Sequence, residues 1–250
     1  MRIKVELQCG KFPRFYNPLG VSLIKEAIKK SNEEYFRKLY FYKDKSNKQS
    51  KNFTFSFYIK NYEIEEDNFI IKDKVIMYIS TPDLELGLNI YNGFINTKIF
   101  RYKHYEISRY KISLVKESEI FEEEAIFNTL SPICIKDISG KFIDVSNDNY
   151  VKELSYITNT ILKNYRGYGL KKELKFENLN LKKVVVKEAL REFKNRTNKE
   201  YQFVNSYKGM FKLIGDKEDL NDIYKLGLGH KRNQGMGNIE VLNGRWNKWN

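Results

Sequence analysis

Hydrophobic and charged residues alternate at the start of the chain, and this period of two predicts a β-strand over residues 2–8. After Asn17-Pro18 the apolar positions recur every three or four residues, which predicts an amphipathic helix over residues 21–42. The side chains expected to form its buried stripe are Leu23, Ile24, Ala27, Ile28, Phe36 and Leu39.

The elements that follow complete one structural unit. A polar segment over 43–52 leads to two predicted strands, 53–58 and 75–80, then to a helix over 83–95 and strand-like sequence over 98–116. The order strand, helix, strand, strand, helix, strand is the split β-α-β arrangement of a ferredoxin-like domain.

The second half of the chain repeats this order. Its predicted strands are residues 125–135, 174–176, 183–190 and 239–242, with a further strand within residues 202–214, and its predicted helices are residues 150–164 and 216–226. Residues 184–193 fit a helix as well as a strand. The sequence therefore predicts an α+β fold of two tandem ferredoxin-like (RRM-like) domains, residues 1–120 and 121–250, joined near residues 117–124.

Composition favours a polyanionic partner. The 250 residues carry a formal net charge of +13, and aromatic residues make up 15% of the chain. Positive charge suits phosphates and flat rings suit unpaired bases, so this combination is typical of RNA-binding proteins. No apolar run approaches a membrane span, and the two cysteines, Cys9 and Cys134, have no metal-ligand spacing. We expect no membrane association, no cofactor and no metal, and a reducing cytoplasm.

A glycine-rich segment near the C-terminus, residues 227–237, is the strongest local motif. Glycine admits positive φ and lets a ligand approach the main chain, and cations in the same loop suit a polyanion. A tight turn before the last strand explains the same glycines without a ligand. The residues predicted to bind RNA are Gly227, Gly229, His230, Lys231, Arg232, Gly235 and Gly237.

Other basic or aromatic positions are weaker candidates, because a solvated face explains them equally well. Alternation over 98–116 predicts a cationic face made of Arg101, Lys103, Arg109 and Lys111, opposite a face that holds His104. A second group comprises Lys171, Lys172, Lys182, Lys183, Lys187, Arg191, Lys194 and Arg196, and Trp246 and Trp249 are candidates for base stacking.

Several segments, in order, resemble a known family. They are Tyr16-Asn17, residues 27–32, residues 53–56, residues 129–133 and the stretch 209–237 that ends in the glycine loop. The chain resembles the CRISPR-associated endoribonucleases of the sixth Cas family, which cut precursor CRISPR RNA within its repeats. The resemblance implies metal-independent cleavage, in which the ribose 2′-OH attacks the adjacent phosphate and leaves a 2′,3′-cyclic phosphate and a 5′-OH.

The resemblance also implies catalytic positions, at which this chain departs from the family. The position of the usual general base, a histidine, holds Tyr40; a family lysine is kept as Lys51; and a family tyrosine is replaced by Lys25. A free tyrosine has a pKa near ~10 and is a poor base at neutral pH. Either a nearby lysine lowers the pKa of Tyr40, or Tyr40 only orients the 2′-OH, or it is helix packing and cleavage is lost.

The expected partner is CRISPR repeat RNA. The resemblance leaves open whether other CRISPR effector subunits or a second copy of the chain bind as well. The alternative function is a catalytically inactive subunit that binds repeat RNA within an effector complex.

Overall fold

The computed structural model of the protein describes residues 1–43, 45–47, 49–188, 198 and 201–242. These residues divide into two compact units. Unit 1 comprises Met1–Glu117 with Asn233–Gly235, and unit 2 comprises Ser118–Arg232 and the chain from Met236 onward. Each unit has its own cluster of buried apolar side chains.

Three helices belong to unit 1: α1 (Asn17–Ser31), α2 (Glu33–Tyr40) and α3 (Leu84–Asn96). A proline in the first turn of α1 fits there because its missing N–H has no intrahelical partner at that position. The predicted stripe is confirmed: its α1 members are buried, and its α2 members, Phe36 and Leu39, are partly buried against the same core.

The single helix predicted over 21–42 is wrong, because Asn32 interrupts it. Asn32 is extended, and its side chain accepts a hydrogen bond from the Tyr35 amide at 2.9 Å, so it caps α2. Asparagine is among the best N-capping residues, since its short amide competes with the helical backbone for local hydrogen bonds. The break lets α2 leave the direction of α1.

The described residues of unit 1 form eight strands: β1 (Arg2–Gln8), β2 (Lys11–Pro13), β3 (Phe41–Tyr42), β4 (Lys45–Ser46), β5 (Thr54–Glu65), β6 (Asn68–Ser80), β7 (Ile99–Tyr102) and β8 (Tyr105–Val115). The main sheet has the order β2-β6-β1-β8-β7, with β5 also paired to β6, whereas β3 and β4 pair only with each other. The core order β8-β1-β6-β5 is that of a ferredoxin-like domain.

Two strand predictions in unit 1 need correction. The segment 98–116 is a hairpin and not one strand, because Lys103 takes a φ of 53° in a turn that joins β7 to β8. His104 therefore lies exposed in that turn, and the alternating faces predicted across the segment are not formed. Strands β5 and β6 also extend beyond the predicted bounds and form a long antiparallel hairpin.

Unit 2 contains β9 (Glu124–Thr129), α4 (Tyr150–Arg166), β10 (Lys175–Asn178), β11 (Lys182–Glu188), β12 (Gln202–Lys208), β13 (Met210–Ile214), α5 (Lys217–Leu226) and β14 (Ile239–Val241). Its four-stranded sheet has the order β10-β13-β9-β14, which is again ferredoxin-like, and β11 and β12 form a separate hairpin. Both predicted helices are confirmed.

The strands of unit 2 differ in part from the predicted bounds. Strand β9 ends at Thr129, and the following residues form a loop tied by one bridge, Ile133 to Tyr207. The segment 202–214, predicted to contain a strand, holds two strands, β12 and β13, which are separated at Gly209, whose φ is 139°. Residues up to Glu188 are a strand, so the helical alternative fails for 184–188, and residues 189–193 lie outside the described part of the chain.

The predicted α+β fold of tandem ferredoxin-like units is therefore confirmed. Among the described residues, no helix is both long enough and apolar enough to cross a membrane.

Candidate active site

The three residues implied as catalytic by the family resemblance come together in unit 1. Lys25 projects from α1, Tyr40 is the last residue of α2, and Lys51 lies just before β5. The Lys25 Nζ lies 4.8 Å from the centroid of the Tyr40 ring, and the Lys51 Nζ lies 5.5 Å from the same centroid. Both distances are within the range of cation–π attraction, so the ring holds two ammonium groups together.

Lys51 is held in place by the main chain. Only 5% of its surface is exposed, and its Nζ donates hydrogen bonds to the carbonyls of Gln49 at 2.7 Å and Asn47 at 3.1 Å. Asn47 is fastened in turn, because its amide donates to the Tyr40 carbonyl at 2.8 Å. The lysine and the phenol are therefore positioned by one short network.

The electrostatics of the cluster separate the roles of its members. Burial raises the pKa of Tyr40, and a nearby tyrosine, Tyr35, adds to the rise. Burial lowers the pKa of Lys51, and the charge of Lys25 lowers it further. The possibility that a neighbouring lysine lowers the pKa of Tyr40 is therefore wrong for this conformation, because desolvation dominates.

This arrangement can stabilise an anion but lacks a ready base. At neutral pH Tyr40 is a neutral phenol that can donate or accept a hydrogen bond. Two ammonium groups that converge on one ring repel each other, and a phosphate between them would relieve that repulsion. The cluster suits the extra negative charge that builds up on phosphorus during 2′-OH attack.

A short hairpin beside the cluster is a feature that the sequence pattern did not reveal. Strand β3 lies at the end of the segment predicted as a helix, and β4 lies within the polar segment over 43–52. Phe41 and Tyr42 on β3 are 46% and 68% exposed. The signal available in the sequence was the pair of aromatic residues next to Lys43 and Lys45.

The glycines of the segment 227–237 are explained by close packing. Gly227, Gly229, Gly235 and Gly237 all have positive φ. A Cβ at Gly229 would lie 2.8 Å from the Cys134 carbonyl oxygen, and one at Gly235 would lie 2.7 Å from the Asn17 side chain. The loop also contains an internal hydrogen bond, which the Leu228 N–H donates to the Gly237 carbonyl. The loop is thus a compact turn in this conformation.

The cationic side chains of the loop are also engaged within the protein. Lys231 pairs with the buried carboxylate of Glu188 at 2.8 Å, and the buried Arg232 donates to the Leu226 carbonyl at 2.6 Å. The Lys136 amide donates to Nδ1 of His230, whose pKa is lowered by burial to about 4. His230 is therefore neutral at pH 7. The RNA-binding role of these residues stays a prediction.

The other basic candidates are mostly paired. Lys172 contacts Glu123, and Lys183 lies 2.8 Å from Asp144. Lys171 contacts Glu218. In the β7–β8 hairpin, Arg109 donates to the carbonyls of Thr97 and Ile95, and Arg101 pairs with Glu106. The candidates that lie outside the described residues are Arg191, Lys194, Arg196, Trp246 and Trp249.

No group of three or more histidine, cysteine, aspartate or glutamate side chains that could hold a metal ion occurs within the ranges that the structure describes.

Comparison with solved structures shows that this fold is shared over nearly the whole chain. A structure described as an RAMP protein binding different RNA substrates matches with a TM-score of 0.77 and 20% identity, over 97% of this chain and 100% of that one. The product of a Cas6-related gene from Pyrococcus furiosus matches with a TM-score of 0.79 and 22% identity, over 98% and 99%. A structure described as CRISPR associated protein Cas6 matches with a TM-score of 0.75 and 22% identity, over 97% and 99%.

A comparison with protein-family models identifies the family of the chain. The model described as CRISPR associated protein Cas6, C-terminal, matches residues 115–241, which is just over half of the chain. The protein therefore belongs to the Cas6 family of CRISPR repeat-processing proteins, and the predicted family is confirmed. No curated protein matches the sequence.

Proposed function

We propose that this protein binds the repeats of precursor CRISPR RNA and cuts them without a metal ion, by attack of a ribose 2′-OH on the adjacent phosphate. The products carry a 2′,3′-cyclic phosphate and a 5′-OH. The observation that carries this proposal is the convergence of Lys25 and Lys51 on the Tyr40 ring, at the positions where the family resemblance implies catalytic residues. The description of a structural match as an RAMP protein binding different RNA substrates supports the choice of RNA.

The roles follow from the charges of the three side chains. The Lys51 ammonium stabilises the phosphorane and gives a proton to the leaving 5′-oxygen, and Lys25 adds a second positive charge. The Tyr40 hydroxyl orients the 2′-OH by a hydrogen bond. Tyr40 is a neutral phenol because burial raises its pKa, and the two lysines act as cations, so the 2′-OH proton passes to solvent hydroxide. We therefore expect slow cleavage that becomes faster with pH until Lys51 loses its proton.

We propose further that residues 1–120, the domain with the catalytic cluster, and residues 121–250, the domain with the glycine loop, are separate domains. The loop contributes to RNA binding in this proposal. Its support is the presence of cations among glycines. Because Arg232 is buried and Lys231 is 11% exposed in its side chain, we expect Lys231 rather than Arg232 to reach a phosphate. Binding of effector subunits or of a second copy stays a prediction.

A second candidate function is a repeat-RNA-binding subunit that does not cut. The raised pKa of Tyr40 favours it, because a neutral phenol in place of the usual histidine leaves the cluster without a base.

A walk of single 2′-deoxy substitutions along the host's repeat RNA distinguishes the two functions. The nuclease requires that one substitution, at the nucleotide 5′ of the cut, abolishes cleavage while binding persists. Tyr40→Phe should slow cleavage without weakening binding. Tight binding with no cut at any position, in the unaltered chain, would leave the non-cleaving subunit as the function.

A further inference from the structure

The β3–β4 hairpin displays an aromatic ring next to the catalytic cluster. Successive side chains of a strand point to opposite faces, so Phe41 and Tyr42 cannot share one. Phe41 packs towards α2, with its ring 6.1 Å from the ring of Phe36 in an edge-on arrangement. Tyr42 is 68% exposed, and the Lys43 Nζ lies 5.6 Å from its ring centroid.

The hairpin is fixed to the site. Asn47, directly after β4, donates from its amide to the Tyr40 carbonyl at 2.8 Å and from its side chain to the Leu39 carbonyl at 3.3 Å. Its own carbonyl accepts the hydrogen bond from Lys51. Tyr42 is therefore tied to the phenol and the lysine of the cluster, and its Cα lies within about 7 Å of the Tyr40 Cα by chain geometry.

We propose that the Tyr42 ring is a stacking platform for one unpaired base adjacent to the scissile phosphate, an inference that rests on the proposed function. Because Tyr42 follows Tyr40 by only two residues, a phosphate at the cluster brings a neighbouring base within reach of the Tyr42 ring. Lys43 and Lys45 supply positive charge for the flanking phosphates.

The small size and the aromatic chemistry of the surface around Tyr42 favour a nucleic-acid base over a protein as its partner. A single exposed ring with one half-exposed neighbour is far smaller than the roughly 800 Å² that each partner contributes to a stable protein interface. Every base has a π-face, and stacking on an aromatic residue tolerates any sequence. A base paired within a stem is already stacked, so the site selects RNA that is unpaired next to the cut.

The test uses Tyr42→Ala, Tyr42→Phe and the control Tyr156→Ala. Tyr156 lies on α4 and is 68% exposed, as Tyr42 is. Affinities are measured with host repeat RNA that carries a 2′-deoxy nucleotide at the cut, which prevents cleavage. Tyr42→Ala should bind about 5- to 150-fold more weakly, as expected for the loss of one base stack. Tyr42→Phe and Tyr156→Ala should bind as the unaltered chain does.

Abasic RNA locates the stacked base. In the unaltered chain, one abasic position next to the cut should weaken binding, and the same position should have no further effect in Tyr42→Ala. If the unaltered chain binds repeat RNA and Tyr42→Ala matches Tyr156→Ala, the stacking inference fails and the proposed function stands. If the unaltered chain does not bind repeat RNA, both fail.

Discussion

Replacement of Lys51 by alanine probes the site most sharply, because the side chain has one well-defined position. Its Nζ donates to two backbone carbonyls and lies 5.5 Å from the Tyr40 ring centroid. The substitution removes this ammonium group and leaves Tyr40 and Lys25 in the chain. The two carbonyls belong to Asn47 and Gln49, which are at least partly accessible, so water can replace the lost donor.

The expected effects on rate and affinity differ in size. Loss of one donor to the charge that develops in the transition state costs about 3 kcal/mol, or roughly 10²- to 10³-fold in rate. A ground-state phosphate carries a single negative charge and the phosphorane carries two, so the attraction to Lys51 that is lost from binding is smaller than the attraction lost from the transition state. Cleavage by Lys51→Ala should therefore fall much further than binding.

The assay pairs single-turnover cleavage at saturating protein with binding of uncleavable 2′-deoxy RNA. Lys30→Ala is the control, since Lys30 is an exposed lysine on α1, the helix that also carries Lys25. Equal losses of rate and affinity in Lys51→Ala would show that the lysine only binds RNA. An unchanged rate would remove it from the mechanism.

Three further predictions concern charge. Burial lowers the pKa of Lys51, so kcat/KM should rise with pH and level off at a midpoint below 10.5, the ordinary lysine value, because the gain in hydroxide is then cancelled by the loss of the ammonium group; a midpoint at or above 10.5 contradicts a charged, buried Lys51. Burial lowers the pKa of His230 from 6.5 to about 4. Between these two pH values the His230 side chain is protonated in the unfolded chain but not in the folded protein. As the pH drops through this window, the unfolding free energy of the unaltered chain should therefore fall by up to about 3 kcal/mol more than that of His230→Gln. Equal losses in the two proteins would refute the lowered pKa of His230. Lys231→Ala should flatten the salt dependence of RNA binding by about 0.7 to 0.9 in log–log slope, whereas Arg232→Ala should leave the slope unchanged and lower stability; the opposite pattern would exchange their roles.

The hydrophobic pattern identified most of the regular structure. Both ferredoxin-like units, the buried face of α1 and the two helices of unit 2 follow from periodicity, because burial of an apolar face is the main source of their stability. The break at Asn32 could not be found in this way. The extended backbone of Asn32 ends α1 and its side chain caps α2, while the apolar positions continue with helical spacing into α2.

The candidate site depended on other information. Residue types alone did not single out Lys25, Tyr40 or Lys51, and only the resemblance to a family did so. Their convergence results from the turn at Asn32 and from the hydrogen bonds of Asn47, which are tertiary facts. The raised pKa of Tyr40 likewise follows from burial and not from the sequence near it. The glycine loop was prominent in the sequence, but its internal hydrogen bonding was not predictable.

The central claim is that the cluster of Lys25, Tyr40 and Lys51 cuts repeat RNA by 2′-OH attack without a metal. The most direct measurement is parallel incubation of the purified protein with its host's CRISPR repeat RNA in EDTA and in Mg²⁺, followed by analysis of the product ends. A single cut that leaves a 2′,3′-cyclic phosphate and a 5′-OH is the expected result. A cut that requires a divalent cation and leaves a 3′-OH and a 5′-phosphate would contradict it, as would RNA that stays bound and intact.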